Sequence, residues 1–236
     1  MPPQGLHIGI VACSAEGAAL CYRTICDEGP ALMGTHRHPE VSMHTHSLGE
    51  YMDFIHRDDW QGVASLMLSS AKKLKSAGAD FLICPDNTIH RSFPEVSKRS
   101  PLPWLHIVEE VAAEAKRNGF RRVGITGTRY TMEGPVYPEV LERNGIEYRV
   151  PEAPAREEIN RIIFDELVNG ILRSESRLVF LSIIERMKSE GCDAVVLGCT
   201  EIPLLVTPEV SPLPVLDSTR LLARAALRKA VASRGA

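Results

Sequence analysis

LKSAGADFLICPDNT at residues 74–88 and MKSEGCDAVVLGCTE at residues 187–201 follow one pattern. Each has a helix end, a Gly-x-Asp turn, a short apolar run and a polar loop. Working outward, SPLPWLHI at 100–107 matches SPLPVLDS at 211–218, and LHIGIVACS at 6–14 matches RRVGITGTR at 121–129. The three matches keep their order, with offsets of 113, 111 and 115 residues. One such match arises easily by chance; three in order with nearly constant spacing indicate an internal duplication. Short apolar runs alternate with longer helical patterns throughout, which is parallel βαβ construction and an α/β fold. We therefore expect two homologous α/β halves facing each other across a cleft.

Strands are expected at 6–11, 41–45, 81–84, 104–107, 122–126, 147–150, 194–197 and 215–217. Helices are expected at 60–76, 156–167 and 219–233. The 236 residues are 44% hydrophobic, 24% charged and 6% aromatic, a composition of folded globular proteins rather than of disordered or disulfide-stapled ones. Lys and Arg number 27 against 30 Asp and Glu, for a formal net charge of -3 with no long basic run. That balance argues against nucleic acid or an anionic membrane as partner. Apolar runs stop far short of the roughly 20 residues that span a bilayer. The N-terminal MPPQGLHIGIVAC lacks a charged n-region and a long apolar stretch, so a cytoplasmic location with reduced thiols is expected. The six cysteines contain no CxxC pair, against a zinc ribbon or a thioredoxin-type couple.

The duplication also makes a prediction about chemistry, because open parallel sheets bind ligands beyond the carboxyl ends of their strands. Laying Gly78-Ala79-Asp80 on Gly191-Cys192-Asp193 pairs Cys84 with Leu197, Asp86 with Cys199, Asn87 with Thr200 and Thr88 with Glu201. A thiol and a carboxylate at opposed strand ends can each exchange a proton with one ligand carbon from opposite sides. Cys199 is expected at a strand terminus beside backbone amides that favour a thiolate. Cys84 pairs with a leucine and reads as a packed core thiol. The first strand of each half ends in a small-residue loop, 12–17 with Ser14 and 126–131 with Thr128, suited to cradling a carboxylate. Neither loop holds GxGxxG or a Walker A pattern, so a nucleotide site is poorly supported. His36, His38, His44 and His46 cluster in sequence, but H-x-H alone is a weak metal signal, and a structural or substrate-polar role is the better reading. Arg161 lies in a helix otherwise bearing Ile159, Ile162, Ile163 and Leu167; it could meet an anionic ligand, but an exposed helix arginine is the commoner explanation.

The segments LGCTEI at 197–202, NT-x-H at Asn87, Thr88 and His90, GTRYTME at 127–133 and E-x-IN-x-IIF-x-EL at 158–167 together resemble the aspartate/glutamate racemase family, the PLP-independent amino-acid racemases. The resemblance covers essentially the whole chain. It implies two similar Rossmann-like or flavodoxin-like domains with parallel sheets related by pseudo-two-fold symmetry: residues 1–108 with 216–236, and residues 109–215. It also implies an active site between them, commonly a homodimer, and no cofactor. In that family two cysteines on opposite faces of Cα share the proton transfer. Cys199 matches the second; the first is missing, and the duplication puts Asp86 in its role. A carboxylate is a much weaker base than a thiolate, with reference pKa values of about 3.9 and about 8.5. Burial and an opposing thiolate would raise Asp86 and let it act as the acid to a Cys199 base.

A second departure is Ala12-Cys13-Ser14, which replaces the family's Gly-Gly-Met-Ser type run while Glu16 is retained. The Asn-x-Pro segment carried by some aspartate-specific members is replaced near His46, Ser47 and Leu48. Arg161 falls where certain members place a basic residue for the side-chain carboxylate. The expectation is thus a cofactor-independent racemase or epimerase acting on an amino acid, aspartate or glutamate by type. Cys199 and Asp86 are its acid/base pair. Asn87, Thr88, Thr128 and Thr200 bind the α-carboxylate, and Ser14, His46, Arg161 and Glu201 complete the substrate-binding set. The alternatives are a one-cysteine decarboxylase of arylmalonate type and a catalytically silent amino-acid-binding protein, with a metal-dependent hydrolase more distant.

Overall fold

The computed structural model describes residues 5–232. The chain forms two units. One joins the residues up to Ile107 to those from Thr219 onward, and the other runs from Val108 to Ser218.

In the first unit the elements are β1 (Ile8–Ala12), α1 (Ala15–Met33), β2 (Val41–Thr45), α2 (Leu48–His56), α3 (Trp60–Ser76), β3 (Phe81–Ile83), a 3-10 turn at Thr88–Ser92 and α4 (Phe93–Arg99). Ile107, where this stretch of the unit ends, starts α5 (Ile107–Arg117). Its sheet is parallel, in the order β2-β1-β3. Every residue of β1 and β3 is buried, as expected for parallel strands covered on both faces. That explains why they read as continuous apolar runs rather than alternating ones.

The second unit contains β4 (Arg122–Gly127), α6 (Arg129–Glu133), α7 (Val136–Arg143), β5 (Glu147–Arg149), α8 (Ala153–Asp165), a 3-10 turn at Leu167–Asn169, α9 (Ser174–Ser189), β6 (Ala194–Gly198), α10 (Ile202–Leu205) and β7 (Val215–Asp217). From Thr219 onward, α11 (Ser218–Ala232) belongs to the first unit. The second sheet is also parallel, in the order β5-β4-β6-β7. Ile159, Ile162, Ile163, Phe180, Ile184 and Val195 lie in its buried core cluster.

The duplication read from sequence is present in the hydrogen bonding of each unit. Gly9 pairs with Leu82 as Gly124 pairs with Val195. The Asp80 carboxylate accepts the His7 N–H at 2.7 Å, and Asp193 accepts the Arg121 and Arg122 N–H groups at 2.7 and 3.2 Å. Each thereby locks the start of its first strand. Ser14 caps α1 by accepting from Gly17 N–H, and Thr128 caps α6 by accepting from Thr131 N–H. Gly78 and Gly191, with φ of 93° and 88°, follow α3 and α9 in the left-handed region that side chains resist. Ser100 and Ser211 each bond the residue two further on, Leu102 and Leu213.

One expected strand is absent. Residues 104–107 make only an isolated bridge, Leu82 to Trp104, before α5 begins at Ile107. The equivalent SPLP block in the second unit does form a strand, β7, against the five-residue β6. β3 has only three residues to pair with. The helix expected at 156–167 starts earlier, at Ala153, and ends its α-helical part at Asp165. Residue 233, expected to end the last helix, lies outside the described residues.

Candidate active site

In the first unit the carboxyl ends of β2, β1 and β3 fall along one edge of the sheet, which places His46, Ser14 and Asp86 just beyond three neighbouring strands. Asp86 is half-buried, between buried Cys84 and Asn87. Its Oδ1 accepts the Ile89 N–H at 3.0 Å, starting the 3-10 turn, and its main-chain carbonyl lies 2.6 Å from His90 Nδ1. Cys84 is fully buried at the end of β3, where desolvation and then the neighbouring Asp86 charge push its thiol well up. It lies in the core, as a residue paired with a leucine should. The Tyr51 phenol, wholly buried, is likewise pushed up, by desolvation first and then by Cys84, Cys13 and Asp86.

His46 stands edge-on to His44 at 5.0 Å, with Nδ1 3.9 Å from Glu50 and Nε2 buried without a hydrogen-bond partner among the described residues. His44 is committed elsewhere, to Ser70 through Nδ1 and to Lys73 through Nε2, both at 2.9 Å. Burial, then Lys73, lowers its pKa. Among the described residues no three His, Cys, Asp or Glu side chains gather into a group that could hold a metal.

In the second unit the carboxyl ends of β4 and β6 present Thr128 and Cys199. Cys199 is half-buried, three residues past Val196 as Asp86 is three past Ile83. Each loop turns back at its third residue: Ile202 N–H reaches the Cys199 carbonyl at 3.3 Å, where Ile89 N–H reaches the Asp86 side chain. The Cys199 thiol donates to Glu201 Oε2 at 2.9 Å, and the Thr200 hydroxyl donates to the same oxygen at 2.7 Å. Glu201 is 3% exposed. Sequence reading expected backbone amides beside the sulfur and gave Glu201 to the substrate. The turn after β6 folds residue 201 back so that a buried carboxylate also lies against the thiol.

Arg161 is exposed on α8. Its guanidinium is held by Glu158 at 2.7 and 3.0 Å and by Glu166 at 3.1 Å, so carboxylates of its own chain already occupy the role assigned to a substrate. Ser14 and Thr128 cap helices with the hydroxyl oxygens expected to meet a carboxylate. Asn87 and Thr200 are buried, and Thr88 is half-buried at the start of the 3-10 turn. Sequence reading missed the contacts of His90, although its place four residues after Asp86 puts both on one side of a single helical turn.

Two similar parallel α/β units carry a thiol on one and a carboxylate on the other at equivalent strand ends. The chain belongs to the Asp/Glu/Hydantoin racemase family, whose profile matches residues 10–226. It is an isomerase of the amino-acid racemase type. It is 25% identical over 174 residues to the broad specificity amino-acid racemase RacX of Bacillus subtilis, covering 70% of this chain and 71% of that one. With the glutamate racemase of Aquifex aeolicus it shares 29% over 161 residues, 65% of this chain and 60% of the other. The crystal structure of an aspartate racemase homologue from Pyrococcus horikoshii superposes with a TM-score of 0.83 at 30% identity, covering 95% of this chain and 98% of that one. No helix among the described residues is long and apolar enough to cross a membrane.

Proposed function

We propose that the protein racemises or epimerises an amino acid of the aspartate or glutamate class by moving the α-proton between Cys199 and Asp86. The observation that carries this reading is their equivalence: each stands three residues beyond the corresponding strand residue, in sheets of matching register. The Cys199 thiol first passes its proton to Glu201 Oε2, its hydrogen-bond acceptor. The thiolate then takes the proton from Cα, and the electron pair of the broken C–H bond delocalises into the α-carboxylate. Asp86, protonated, delivers its proton to the opposite face and is left as a carboxylate. Asn87, Thr88, Thr128 and Thr200 donate to the developing negative charge. Arg161 enters this scheme only if Glu158 and Glu166 release it, so the acidic substrate class rests on the family rather than on that residue.

On the same reading the reaction needs no cofactor and runs in the cytoplasm in a homodimer. A second reading draws on Asp86 Oδ1 being committed to Ile89 N–H: an arylmalonate-type decarboxylase, in which loss of carbon dioxide forms the carbanion and Cys199 alone protonates it. Proton NMR in D2O with L- and D-aspartate and glutamate supplied separately, alongside chiral analysis, separates the two. Wild type should exchange the α-proton and invert the centre, and Cys199→Ala and Asp86→Asn should each abolish inversion. No exchange with any of the four, together with carbon dioxide release from an arylmalonate, overturns the racemase.

A further inference from the structure

His90 is 1% exposed, and both its ring nitrogens are used. Ile107 N–H donates to Nε2 at 3.4 Å, so the ring proton sits on Nδ1 and is donated to the Asp86 carbonyl at 2.6 Å. Phe93 stacks on the ring at 5.6 Å, and His106 meets it edge-on at 4.6 Å. Burial lowers the pKa of His90 to about 4, only partly offset by its bond to Asp86, which keeps the ring neutral and this tautomer in place at ordinary pH. The duplicated loop supplies an internal control. Under the same offset His90 corresponds to Pro203, at the start of α10. A proline, with no donor, completes the loop that carries Cys199, so the turn itself does not require a histidine. What differs between the loops is the side chain they present.

We propose that His90 is a positioning residue: its Nδ1–H holds the Asp86 main chain so that the carboxyl points where the proton is transferred, and the Ile107 amide fixes the tautomer that makes this possible. Ile107 is the residue at which the chain leaves the first unit. The Asp86 loop is thus tied through one ring to the crossing point. The proposal rests on Asp86 being an acid/base residue.

Two substitutions separate the bonds. His90→Asn keeps an N–H donor near the Nδ1 position, whereas His90→Gln keeps an acceptor near Nε2 and loses the donor to Asp86. Deuterium wash-out is followed from each enantiomer separately. His90→Gln should slow exchange on the order of tenfold to a hundredfold, as misplacement of a reacting group does. The slowing should be confined to the enantiomer whose exchange Asp86→Asn also abolishes, with KM little changed, and His90→Asn should stay within about threefold of wild type. Equal slowing for both enantiomers, or equal loss in both variants, overturns the proposal. A readout independent of turnover is the 13C signal of the Asp86 carboxyl, followed through a pH titration. It should move in His90→Gln and not in His90→Asn, and an unmoved signal in His90→Gln overturns the proposal. If wild type exchanges no amino acid, the racemase reading falls while this signal still decides the role of His90.

Discussion

At Cys199 a thiol and a buried carboxylate share one proton donor–acceptor line. Glu201→Gln keeps the shape but removes the charged acceptor for the thiol proton. On the proposed mechanism, exchange from the enantiomer assigned to Cys199 should fall on the order of a hundredfold, the lower range for loss of a general base. Wash-out rates check this, and an unchanged rate would return Glu201 to a purely structural part. His90 makes a second prediction. Its folded pKa, about 4, lies below the unfolded value of 6.5. Between those values the unfolded chain binds the extra proton, so the stability is full above about pH 6.5 and is lost as pH falls toward 4. Urea unfolding should show wild type losing about 3 kcal/mol more than His90→Asn between pH 7.5 and pH 4. The equivalent strand-end positions of Asp86 and Cys199 were legible in the sequence because the duplication aligns them. The contacts of His90 and Glu201 were not, since a ring held by a carbonyl four residues back and an amide 17 residues ahead leaves no periodic trace.

Among the elements, strands and turn chemistry were readable wherever the two halves agree. β2, β7 and α3 fall on their expected residues. The halves diverge at Trp104, whose strand-like sequence makes only an isolated bridge to Leu82. The equivalent glycines of β1 and β4 give a matched test. A Cβ at Gly9 would stand 2.5 Å from Leu82 Cδ2 and 3.0 Å from the backbone-anchored Ala79 Cβ. At Gly124 the nearest atom, at 2.6 Å, is Sδ of the flexible Met187. Gly9→Ala should therefore cost about 2 kcal/mol by overpacking, and Gly124→Ala less than about 1 kcal/mol because the thioether can move. Denaturant midpoints of the two variants compare them directly.

For the molecule as a whole, the first unit depends on the far end of the chain. Leu222, Ala223, Ala226 and Ala230 of α11 are fully buried. Leu6 N–H donates to the Ala230 carbonyl at 3.0 Å, and Arg224 grips both oxygens of Glu28. Removing the residues from Thr219 onward should strip this core while leaving Val108–Ser218 whole. Limited proteolysis should then cut the first unit rapidly and spare the second; equal protection of both would show that α11 is dispensable.

The same crossing of the chain sets an order of events during synthesis. The residues that carry Asp86 leave the ribosome first, yet the helix that closes their core follows only after the whole second unit has been made. At roughly 5–20 residues per second this leaves an open apolar surface for on the order of ten seconds. The half made first is therefore the half finished last, and molecular chaperones would have that interval in which to hold it.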